Sequence, residues 1–261
     1  MPITFDQYIV NPMQQRGRVM SAVMREAQRK HYMEVFNQLM LRENGHIDYT
    51  LYKDEEHNQY WIHIKVPSET IKNFYYDTVF KFYADSNVLE SGTNLRKYYV
   101  QFYSNDPAYV FNYAYVFIHN NLFPEDLTSR MSSLAKSQAP DITNPYKEIG
   151  YVKTIYFGYL FMQNRNLFNL IKWDAARPYS KDALVSSIEN ADEKITRREE
   201  AEKRLNSRNK ARKASETAKK QSHEKILASQ GRQSAVRKTK TVGNVKSVNN
   251  SRKVKNSKVI K

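Results

Sequence analysis

Every aromatic residue of this 261-residue chain, 19 Tyr, 12 Phe and 2 Trp, lies at or before Tyr179. A charged segment without large rings cannot bury enough apolar surface to offset the entropy of its own ordering. The core must therefore come from roughly the first 180 residues, which suffice for one domain with a real interior. Charge divides along the same line. Residues 1–180 carry 19 basic and 18 acidic groups and residues 181–227 carry 13 and 9. Ala228–Lys261 carries ten basic groups and no acid, out of a chain total of +15. The expected organisation is a near-neutral globular body over 1–180, a charged helix over 181–227 and a disordered basic tail over 228–261.

Several classes of function are excluded early. With no Cys there is no disulfide framework, thiolate nucleophile or zinc–thiolate site. The opening MPITFDQYIV lacks the basic-then-apolar layout of a secretion leader. The most apolar stretch, Phe102–Ile118, is interrupted by Asn105, Asp106, Pro107 and Asn112, so no membrane span is expected. Seven Gly in the whole chain leave no phosphate-cradling glycine loop.

The body reads as α+β. Met20, Met24, Ala27, His31, Val35 and Leu39 recur at helical spacing, which predicts an amphipathic helix over Arg18–Leu41 closed by Asn44-Gly45. Four alternating runs follow: His46–Tyr52, Gln59–Val66, Asn73–Ala84 and Arg96–Ser104. Their short connections predict a four-stranded antiparallel meander. Asp106-Pro107 then opens a helix to about Asn120, and Pro124 another to about Ser137. A third is expected over Tyr146–Asn164 and a short one over Leu167–Ala176. Strands first and helices later indicate α+β rather than α/β. In the charged helix, Leu184, Ile188, Ala191, Ile195 and Leu205 form a partial heptad seam that would permit a homo-oligomer. A solvated helix held by pairs such as Glu199–Lys203 and Glu200–Arg204 is the alternative.

Chemistry is sparse. The six His are scattered, with no metal-binding spacing, so no metal or cofactor is expected and no catalytic residue is assigned. His63-Ile64-Lys65 places an imidazole where a metal-dependent nuclease strand needs a carboxylate, so His63 reads as a partly exposed strand residue. Tyr99-Val100-Gln101-Phe102 after Arg96-Lys97, with Tyr103 beyond, faintly echoes a strand whose rings stack on bases, although core packing is the default for such rings. The tail is the clearest candidate site. Arg232, Arg237, Lys238, Lys240, Lys246, Arg252, Lys253, Lys255 and Lys258 would meet phosphates without reading sequence.

The run Phe102–Phe117 (FYSNDPAYVFNYAYVF), joined by Asn144–Tyr151 (NPYKEIGY), resembles structural-module proteins of tailed bacteriophages of low-GC bacteria. That resemblance covers residues 1–180 and brings no catalytic residues. It implies a non-enzymatic virion or assembly protein, with other virion proteins as partners and a tail in contact with packaged DNA or another acidic surface. A nucleic-acid-binding module in replication or regulation is the alternative.

Overall fold

The computed structural model describes residues 2–10, 14, 15, 18, 19, 22–84, 93–142, 144, 147, 149, 150 and 152–243. Of these, 10, 14, 15, 18, 19, 22–25, 223, 224 and 226–243 are described by backbone alone. One compact unit spans Met1–Glu202 and a second spans Lys203–Lys261.

The chain opens with α1 (Phe5–Val10), the two-residue pair β1 (Gln14–Gln15) and β2 (Arg18–Val19), and α2 (Ala22–Arg42). Val35, Phe36 and Leu39 of α2 are buried, but Ala27 and His31, which the spacing places on the same stripe, are exposed, so only the C-terminal half of the stripe faces the core. Asn44 and Gly45 both adopt left-handed backbone, at φ 53° and 72°, and the Gly45 N–H returns to the Met40 carbonyl at 2.7 Å. This bond satisfies a carbonyl that the helix end would leave open.

The sheet is built from β3 (Tyr49–Asp54), β4 (Gln59–Pro67), β5 (Tyr75–Tyr83) and β6 (Tyr99–Ser104) in an antiparallel meander. It is five-stranded and mixed, however, not the four-stranded antiparallel sheet expected. The strand β7 (Arg177–Pro178) adds in parallel beside β3, giving the order β6-β5-β4-β3-β7. Two residues carry no periodic signal. Tertiary contact selects them, and the following Tyr179 N–H continues onto the Lys53 carbonyl at 2.9 Å.

Both faces of the sheet are covered. Ile62, Ile64, Phe80, Phe82, Val100 and Phe102 share one face, against Phe5 of α1 and the helix α6 (Lys153–Asn164). Gly158 of α6 permits the close approach, because a Cβ there would lie 2.5 Å from the Phe80 ring. The other face carries Trp61, His63, Asp77, Val79, Lys81 and Tyr103. It is covered by the segments around 123–130 and 179–190, where Tyr179 stacks on Trp61 at 4.9 Å.

The helices after the sheet are more broken than their periodicity suggests. The first divides at Tyr113 into α3 (Pro107–Asn112) and α4 (Ala114–His119). Asp106 caps α3 as expected, accepting from the Ala108 N–H at 2.9 Å. The region after Pro124 is a 3-10 turn over Glu125–Arg130 followed by α5 (Ser133–Ser137). Beyond α6 and the 3-10 turn Leu170–Trp173 come α7 (Lys181–Ser187) and α8 (Ala191–Gly243).

The helix expected from Arg18 begins at Ala22 and the one expected from Tyr146 is α6, from Lys153; the C-terminal division also differs from the sequence reading. The charged helix is not continuous from residue 181, since residues 188–190 separate α7 from α8. Leu184, Ile188 and Ala191, the start of the supposed coiled-coil seam, are 0 %, 2 % and 0 % exposed within the body's own core. They are spent on the core and are not available as an oligomer seam. The backbone of α8 also runs past residue 227 to Gly243, so helix replaces the start of the disordered tail, while residues 244–261 lie outside the described residues.

Candidate functional site

The compact unit ends at Glu202, and charge divides sharply at the same place. Residues 1–202 hold 23 basic and 25 acidic groups, a net −2, whereas residues 203–261 hold 19 basic and two acidic, a net +17. Acidic residues nearly vanish after Glu202, at the edge of the compact unit. The signal was present in the sequence but hidden, because pooling 181–227 averages an acidic first half with a basic second half.

The candidate polyanion site therefore begins earlier than the tail. Over residues 203–222 the cations are Lys203, Arg204, Arg208, Lys210, Arg212, Lys213, Lys219 and Lys220, and all are exposed. The single acid there, Glu216, accepts from the Arg212 Nε at 3.1 Å. Of the tail residues named from sequence, Arg232, Arg237, Lys238 and Lys240 fall on the backbone of α8, in its portion without described side chains. Lys246, Arg252, Lys253, Lys255 and Lys258 lie outside the described residues.

The start of α8 is held to the sheet by a buried polar cluster that sequence reasoning missed. His63 is not a partly exposed strand residue: it is 3 % exposed, and its Nε2 lies 2.8 Å from Asp77 Oδ1. The other Asp77 oxygen accepts from Asn105 Nδ2 at 2.9 Å and from the Glu189 N–H at 3.1 Å. Asn105 returns the contact, accepting from the Asp77 N–H at 2.8 Å and donating to the Glu189 carbonyl at 3.2 Å. Burial pushes the Asp77 carboxyl up in pKa. Hydrogen bonds from His63 and Glu189, with the attraction of His63 and Lys194, outweigh that and hold it below its ordinary value. An ionised carboxylate only accepts, so Nε2 of His63 donates to it.

Around this centre, Lys194 and Arg197 of α8 donate to the Glu189 side chain at 2.8 and 2.7 Å. Arg130 Nε donates to the Val185 carbonyl at 2.8 Å, and Tyr103, fully buried, donates to the Arg130 carbonyl at 3.1 Å. Burial raises the Tyr103 hydroxyl well above its ordinary pKa, reinforced by the nearby Asp77 charge. Tyr103 therefore presents no face for base stacking, and the half-buried Tyr99 packs 5.6 Å from Tyr83.

Ser187 Oγ stands 3.2 Å from His63 Nδ1, so Ser187, His63 and Asp77 form a chain of the residue types used in hydrolytic relays. The hydroxyl has one hydrogen, and the Leu184 carbonyl accepts it at 2.7 Å within the same helical turn. Each of these atoms is engaged in fixing residues 187–190 to the sheet, and what the geometry performs is anchoring.

A second polar feature is a recess of about 580 Å³ on the same face, lined by Gln59, Lys81, Tyr83, Gln101, Phe123 and Lys136 among others. Lys81 lies 4.6 Å from the Trp61 ring and 3.7 Å from Asp126. Burial lowers its pKa against the pull of Asp126. Among the described residues no group of three or more His, Asp or Glu could hold a metal ion. Among the same residues no helix is long and apolar enough to cross a membrane. Comparison with known protein families, with characterised proteins and with solved structures yields no significant match to this chain.

Proposed function

We propose that this protein is a non-enzymatic structural or assembly component of a tailed-phage virion. In this reading the α+β body docks among other virion proteins, and the cationic segment beginning at Lys203 binds nucleic acid through its phosphates. The observation that carries the reading is the coincidence of the charge boundary with the edge of the compact unit. A body of net −2 is joined to a segment of net +17, so attraction to a polyanion is concentrated in one separable part of the chain. The resemblance of Phe102–Phe117 and Asn144–Tyr151 to phage structural-module proteins supplies the virion context.

The test is particle composition. Virions and procapsids purified from infected cells on a density gradient are expected to contain this protein at constant copy number. Recovery only in the soluble lysate, with none in either particle, would refute the virion role.

A further inference from the structure

We infer that residues 203–222 of α8 form a binding surface for duplex DNA, separate from the basic tail and contributing more to affinity. This rests on the polyanion-binding reading above and assigns it to a surface and a ligand. An α-helix advances about 100° and 1.5 Å per residue, so twenty residues span about 30 Å. At that pitch Lys203 and Lys210 fall within about 20° of each other. Arg208, Arg212 and Lys219 fall within about 40° of one another on a flank roughly opposite. All five side chains are exposed.

The B-DNA major groove, about 12 Å wide, admits a helix and is bounded by a phosphate ridge on each side. Cations on two opposite flanks reach both ridges, which a single basic stripe would not. Ser207, Ala211, Ala214 and Ala218 fall in the sector between the flanks and are small enough for close approach; Arg204, about 100° from Lys203, falls there with them, whereas Lys213 and Lys220 lie on the far side. Glu216, already bonded to Arg212, lies outside that sector. The major groove of A-form RNA is too deep and narrow for this seating, which selects DNA over RNA duplex. Ser and Ala offer little to base edges, so apart from Arg204 the contacts of this surface are to phosphates.

The experiment uses the full chain and moves the charge loss. One variant carries Lys203→Gln, Arg208→Gln, Arg212→Gln and Lys219→Gln. The other carries Arg252→Gln, Lys253→Gln, Lys255→Gln and Lys258→Gln, removing the same charge from the tail. Each is titrated by fluorescence anisotropy onto a 30-base-pair duplex (~100 Å) across a range of salt. The helix variant is expected to bind at least about tenfold more weakly at 0.15 M salt, with the log–log salt slope reduced by about 3 to 4. The tail variant is expected to lose less. Replacing the same four helix residues by Ala, a stronger helix former, must reproduce the loss if charge and not helicity is the cause.

A larger loss in the tail variant, with the helix variant near wild type, would overturn the assignment while leaving polyanion binding intact. Equal affinity for an RNA duplex of the same sequence would overturn the groove geometry. No binding by the wild-type chain would defeat the broader reading as well.

Discussion

Replacing Asp77 by Ala removes the acceptor at the centre of the buried cluster. His63 Nε2, Asn105 Nδ2 and the Glu189 N–H, now at 2.8, 2.9 and 3.1 Å from the carboxylate, would all lose their partner. His63 and Asn105 are 3 % and 0 % exposed, so water cannot fully replace it. Removing one member of such a buried, charge-assisted set costs about 3–5 kcal/mol. For a body of this size that corresponds to about 6–20 °C in melting temperature. Asp77→Asn should behave differently. Its amide oxygen can keep the Asn105 and Glu189 donors, and only the charge-assisted bond to His63 is lost. Its cost should be roughly 1–2 kcal/mol. Urea unfolding at pH 7, followed by fluorescence of the buried Trp61 and Trp173, measures both. Asp77 is held below its ordinary pKa of 3.8, so its stabilisation is present above that value and is lost as pH falls through the lower folded value. The gap between wild type and Asp77→Asn should close in strong acid. If Asp77→Ala lies within about 1 kcal/mol of wild type, or matches Asp77→Asn, the anchoring argument is wrong.

Asp106 has the opposite sign. Burial raises its carboxyl above the ordinary value of 3.8, despite the Ala108 N–H and Arg198, so its folded form resists ionisation. Stability should fall as pH rises through that raised value. Asp106→Asn, which can still cap α3, should be more stable than wild type at pH 7 and equal to it in acid, as read by thermal melts at each pH. Gly158→Ala would ordinarily favour a helix by about 1 kcal/mol, but the added methyl meets the Phe80 ring at 2.5 Å, and overpacking costs about 1–3 kcal/mol. A net fall in melting temperature is expected. Leu184→Ala should cost the body about 2–5 kcal/mol and leave its mass in light scattering unchanged. Loss of an oligomer with the body's stability intact would restore the coiled-coil interpretation.

What the sequence revealed followed local rules. The end of α2 was legible because Asn44-Gly45 is a short-range signal, and the meander because alternation marks each strand. β7 was not, since Arg177-Pro178 is chosen by the vacant edge of β3 and not by any preference of its own. The spacing of Leu184, Ile188 and Ala191 fits a coiled-coil seam and a core-facing surface equally, and only packing distinguishes them. His63 and Asp77 stand fourteen residues apart, and their contact depends on the register that pairs His63 with Val79 and Lys65 with Asp77. Nothing in either strand alone announces it. The charge switch at Glu202/Lys203 needs no structure to be counted, but the compact unit gives the reason to count there.

The most direct test of the account compares the intact chain with residues 1–202. The core closes within that fragment, as Leu184, Ile188 and Ala191 join the main cluster and Ala201 packs on Ile71, Phe74 and Tyr76. In a filter-binding titration at 0.15 M salt the fragment should melt like the intact protein yet show no measurable affinity for duplex DNA, while the intact chain binds with a steep salt dependence. A folded fragment that keeps the DNA affinity of the intact chain would contradict the account.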